Sequence, residues 1–152
     1  MVHTGGSIQV SMDYVPDAIF WFAVVGSGAA CLKHLLAPVA TLQELSPVAI
    51  RQEGSKGSKT ASPEALWWGG YAFSAMNAGY CTIGLYAGCT NSAPGKAGFL
   101  LGTGVLFEAF AAAWFLRGKM TGKKGHVQQG VKIALMGALF LAGFAGFVGK
   151  PN

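Results

Sequence analysis

The chain has 152 residues, of which 52% are hydrophobic and only 11% charged, with 23 glycines and a formal net charge of +5. A charged fraction under half of the roughly 25% usual in soluble domains excludes an ordinary water-facing surface and implies one that faces lipid. The glycines follow no strict period, which excludes collagen, and the cations lie in loops between apolar runs without any recognition motif, which argues against nucleic acid as a partner.

The N-terminal segment, residues 1–17, has neither the basic start of a secretory signal nor the arginines of a transit peptide. The expectation is that nothing is removed and that the first apolar helix carries any targeting signal. That first run, AIFWFAVVGSGAACLKHLLA, covers 18–37. It reaches the roughly 20 residues that span a bilayer core. Pro16 and Asp17 suit a helix start and Pro38 a stop, while Lys33 can extend its ammonium toward the headgroups.

Residues 38–64 make the longest connection, read as a short interfacial helix followed by a flexible linker rich in Gly, Ser and Lys. Ser62, Pro63 and Glu64 then supply a cap, a proline and an early acid for a second helix, spanning about 65–88. Trp67, Trp68 and Tyr71 at one end and Tyr86 at the other suit the two headgroup regions. A tight turn at CTNSAPGK leads to a third span, about 97–117, and a basic loop, RGKMTGKKGHVQQG, to a fourth, about 130–149.

These elements predict an all-α integral membrane four-helix bundle with short loops, its transmembrane domain covering 18–149. This layout is similar to that of DoxX-like membrane proteins, although no motif carries the likeness further. Arg51, Lys56 and Lys59 lie in one loop and Arg117, Lys119, Lys123 and Lys124 in another, with Lys33 and Lys132 nearby; only Lys96 and Lys150 lie on the other side. The positive-inside rule then places both basic loops in cytoplasm, matrix or stroma and both termini opposite. Small residues permit close helix packing, and the candidate stripes are Gly84 with Gly88, Gly98 with Gly102, and Ala138 with Ala142 and Gly146.

Glu108 is the sharpest anomaly, an acid amid the third apolar run. An ionised group at that depth costs roughly 2.5 to 3.5 kcal/mol, so it must be protonated, paired or hydrated. Asn77, at mid-depth of the second span, is the expected partner, through an interhelical hydrogen bond worth about 0.6 kcal/mol. His34 and His126 fall on the same side of the membrane, where two imidazoles can form an axial pair for haem or chlorophyll. Glu108, Asn77, His34 and His126 are therefore the candidate ligand-binding residues. Ser74, Thr82 and Thr103 can bond to their own helices, and Trp21, Phe107, Phe110, Trp114 and Phe115 read as lipid-facing or packing rings.

Cys31, Cys81 and Cys89 form no CxxC or metal-type pattern and read as small hydrophobes. No hydrolase, nucleotide-binding or metalloprotease motif occurs, so catalysis is not expected, and no cofactor or metal is predicted beyond structural lipid. By elimination the leading expectation is a non-catalytic accessory subunit of a larger membrane complex, with other transmembrane subunits and the bilayer as partners. The setting would be an energy-transducing membrane, the mitochondrial inner membrane ahead of the thylakoid. The alternatives are a small bundle holding quinone, haem, pigment or lipid around Glu108, Asn77 and His34, and a proton or ion pathway centred on Glu108.

Overall fold

The computed structural model describes residues 14–38, 40 and 63–149. The expected interfacial helix and linker, with Arg51, Lys56, Lys59 and the Ser62 cap, lie outside these residues, as does Lys150. Four helices and no strand occur among the described residues: α1 (Val15–Leu36), α2 (Pro63–Cys89), α3 (Ala93–Thr121) and α4 (Lys124–Val148). The protein is an all-α membrane bundle. α1, α3 and α4 are long and apolar enough to cross a membrane. α2 is long enough at 27 residues, but Asn77, three tyrosines and two tryptophans dilute its hydropathy, so its place in the membrane rests on its packing against the others.

The helices outrun the apolar spans. α3 and α4 continue through Arg117, Lys119 and the polar residues up to 130, which reduces the expected basic loop to Gly122 and Lys123. Apolar length measures the hydrocarbon alone, whereas Lys, Arg and Gln propagate a helix well in the headgroup region. Gly122 closes α3 in the left-handed conformation at φ 67°, its N–H donating to the Gly118 carbonyl. At the other end of α3 the expected tight turn is present: Asn91 takes φ 49°, and Ser92 accepts the Gly95 N–H at 3.1 Å, ahead of Pro94 in the first turn.

Antiparallel neighbours interlock through small residues. Along α1 and α2, Gly70 sits against Pro38, Gly28 against Cys81, Gly84 against Val24, and Gly88 under the Trp21 ring. Along α3 and α4, Gly104 receives Leu141, Gly118 receives Val127, and Gly130 receives the Phe115 ring. Gly143 and Gly146 meet Ile19 and Pro16 of α1. Two of the expected stripes need correction. Gly98 has nothing packed against it among the described residues, and Ala138 and Ala142 are exposed, because the buried face of α4 runs through Gly130, Gly137, Phe140 and Gly143 instead.

The packed core gathers toward the 90–92 turn: Phe20, Ala23 and Val24 of α1, Ala87 of α2, Phe99 and Leu100 of α3, and Phe140 of α4. α2 and α3 approach closely there, Ala87 lying against Gly95 and Phe99 against Gly84. Toward the opposite end the two helices are bridged by side chains, the Phe73 and Phe110 rings 5.9 Å apart. Space opens between them.

Candidate functional site

That space is a cavity of about 120 Å³ walled by all four helices, with Ala30 and His34 from α1, Phe73, Met76 and Asn77 from α2, Leu106, Phe107 and Phe110 from α3, and Ile133 from α4. A second cavity of about 140 Å³ continues it toward the core, lined by Phe22, Ser27, Thr103 and Phe140 among others. The two share Ala30, Asn77 and Phe107. Apart from His34, Asn77, Ser27 and Thr103, the walls are apolar.

His34 is completely buried one half-turn before the end of α1, its ring stacked on Phe73 at 5.6 Å and 14°. Nδ1 lies 2.7 Å from the Ala30 carbonyl. A carbonyl only accepts, so Nδ1 is the donor, and in the neutral tautomer that fits this bond Nε2 is the acceptor. Nε2 is buried and has no hydrogen-bond partner among the described residues. A buried polar atom left without a partner costs about 1 to 3 kcal/mol, an arrangement that persists where something else supplies the bond.

Asn77 donates through Nδ2 to the Phe73 carbonyl of its own helix at 2.8 Å. Its Oδ1 remains available to accept at the junction of the two cavities. Thr103 turns its hydroxyl onto the Phe99 carbonyl at 2.8 Å, and Thr82 bonds Ala78 in the same manner, as expected of helical threonines. Ser74 does otherwise, donating across to the Cys31 carbonyl at 3.0 Å and tying α2 to α1. The unused polar capacity at the walls is mixed: acceptors at His34 Nε2 and Asn77 Oδ1, and donors in the second Nδ2 hydrogen of Asn77 and the Ser27 hydroxyl.

The expected pairing of Glu108 with Asn77 does not form. The two residues stand at the same height, but on α3 the residues at helical spacing 103, 106, 107 and 110 face the cavities while 104, 108, 111 and 115 turn toward α4. Glu108 rests against Gly137, its carboxyl occupying the space a Cβ there would need, and it is half-buried at the α3–α4 seam without a hydrogen bond among the described residues. It lines neither cavity.

The two histidines are also apart. His126 packs on the Trp114 ring at 5.4 Å and its Nδ1 meets the Thr121 hydroxyl at 3.0 Å, at the α3–α4 turn, outside both cavities. The orientation of His34 is that of a helix-borne metal ligand, with one nitrogen held by a carbonyl and the other free. The cavity as it stands suits a smaller guest, since an engineered cavity of about 150 Å³ takes benzene, not a tetrapyrrole. No group of three His, Cys, Asp or Glu side chains able to hold a metal ion occurs among the described residues.

A feature that sequence reasoning missed lies at the tight end. Lys96 is 6% exposed; it donates to Asp17 Oδ1 at 2.6 Å and to Asn91 Oδ1 at 2.8 Å, with Phe20 and Phe147 rings within 6 Å of its Nζ. The signal was present as one acid and one base flanking two spans on the same side. No family model matches the chain, and no curated protein or solved structure is significantly similar to it.

Proposed function

We propose that the chain is a multi-pass membrane protein that binds a small hydrophobic molecule in the cavity walled by its four helices. The observation that carries this reading is a largely apolar cavity whose lining includes His34, a buried residue whose Nε2 has no hydrogen-bond partner among the described residues. A core histidine with a purely structural role would have both nitrogens satisfied. Ligand pockets share this make-up, apolar walls with a few convergent polar atoms that fix orientation. The site sits on His34 and Asn77, with Glu108 outside it.

The accessory-subunit reading rests on how little of the chain lies outside the apolar helices, a property that a ligand-binding bundle shares. A proton or ion pathway at Glu108 has less support, since one carboxyl at the α3–α4 seam forms no relay. The charge distribution favours basic loops in cytoplasm, matrix or stroma. Labelling of Cys89, exposed beside the 90–92 turn, by an impermeant maleimide from the basic-loop side alone would reverse that orientation. The mitochondrial inner membrane stays ahead of the thylakoid as the setting.

The test is mild extraction from the native membrane, separation on a native gel, and mass spectrometry with an absorption spectrum of the band. A small band that releases a stoichiometric hydrophobic molecule, lost on His34→Phe, is the expected result. Co-migration with a large complex and no bound small molecule would return the assignment to an accessory subunit.

A further inference from the structure

The two cavities run in sequence along α1 from His34 to Phe22, a length of about 18 Å at 1.5 Å per residue. At one end lies His34, whose buried Nε2 has no partner among the described residues, and at the junction the Asn77 Oδ1. His34 Nδ1 is committed to the Ala30 carbonyl and one of the two Asn77 Nδ2 hydrogens to the Phe73 carbonyl, which leaves Asn77 able both to accept and to donate. Beyond the junction the walls are Phe22, Ala23, Gly26, Met136 and Phe140, with the Ser27 hydroxyl among them and the Thr103 hydroxyl turned onto its own helix. The trough thus runs from an imidazole acceptor to an end walled mainly by apolar side chains, with Ser27 as its polar exception.

We propose that the ligand is an amphiphile with a hydroxyl-bearing head and one unbranched apolar tail, of the alkylphenol, hydroquinol or long-chain alcohol class. A small turn of the His34 ring opens Nε2 to the hydroxyl, which donates to it, the head ring or carbon lies against Phe73 and Phe110, and the tail passes Ala30 toward Phe22 and Phe140. This inference rests on the binding function proposed above and adds the head chemistry and the tail direction. A head ring of benzene size matches the first cavity, at about 120 Å³. A ligand that lacks the hydroxyl leaves Nε2 buried and unpaired, and sites of this kind discriminate strongly against such analogues.

The experiment compares para-octylphenol, its methyl ether and octylbenzene, three probes of similar size that all enter lipid. The full chain is reconstituted in nanodiscs, and apparent affinity is read from ligand-induced thermal stabilisation. Para-octylphenol is expected to bind at least about tenfold more tightly than the ether. His34→Phe should erase that preference, and Ala30→Leu, which obstructs the junction, should weaken all three. A diazirine at the tail end of the phenol should crosslink to the segment around Phe22 or Phe140. Equal binding of phenol and ether, or a preference that survives His34→Phe, overturns the inference about the head while leaving a binding protein. Absence of binding by all three probes, together with no co-purifying molecule from the native membrane, overturns the proposed function itself.

Discussion

The two ends of this bundle are built by different rules. Near the 90–92 turn, small residues bring the backbones together, the core rings of Phe20 and Phe99 meet edge to face at 5.5 Å, and the buried Lys96 is engaged by Asp17 and Asn91. Toward the basic loops α2 and α3 are held apart by aromatic rings, and the buried imidazole at that end has one nitrogen open. A satisfied polar group in a dense region secures the fold. An unsatisfied one beside a void costs stability, and binding a ligand there recovers it.

The contrast can be broken by substitution at each end. The largest effect is expected at the tight end, where Lys96→Ala leaves the Asp17 carboxylate and the Asn91 amide without their shared donor. Exposed ion pairs contribute at most about 1 kcal/mol and breaking buried ones costs about 3 to 5; with Lys96 buried and Asp17 partly open, a loss of about 2 to 4 kcal/mol is expected in reversible unfolding from mixed micelles. The double substitution Asp17→Asn with Lys96→Met should recover much of it, and a single-variant loss under 0.5 kcal/mol would show the pair to be ornamental.

Gly84→Val comes next. A Cβ at Gly84 would stand 2.6 Å from Val24 Cγ2 and 3.1 Å from the Phe99 ring, and overpacking of this kind costs about 1 to 3 kcal/mol. The same change at Gly98, which has nothing within 4 Å among the described residues, should be neutral or gain the helix propensity difference of a few tenths of a kcal/mol, measured side by side. Equal losses at the two glycines would contradict the assigned faces.

The smallest effect on stability is expected at the open end. His34→Phe keeps the stack on Phe73 and removes the orphan nitrogen, so ligand-free stability should stay within about 1 kcal/mol of the parent or rise. Ala30→Leu should likewise stabilise slightly by filling space, by roughly 0.5 to 2 kcal/mol. If His34→Phe proved as damaging as Lys96→Ala, the imidazole would be a structural member and the cavity no longer a candidate site.

The sequence by itself determined the class of this protein: four helices, their order, the tight turn at 90–92 and the lipid-facing surface follow from apolar run length, proline and glycine placement, and the shortage of charge. It also marked His34, Asn77, Glu108 and His126 as polar residues needing an explanation. Helix ends were less legible, because hydropathy stops at the hydrocarbon boundary while α3 and α4 run on through Arg117 and Lys119. Which polar residues meet was decided only by tertiary structure. Asn77 and Glu108 share a height, but one residue of helix is a rotation of about 100°, enough to send Phe107 to the cavity and Glu108 to Gly137 on another helix. Depth in a membrane is a linear property that a sequence records. The face a side chain presents to its neighbours depends on how each helix is rotated in the bundle, which only the packing of small residues against large ones sets.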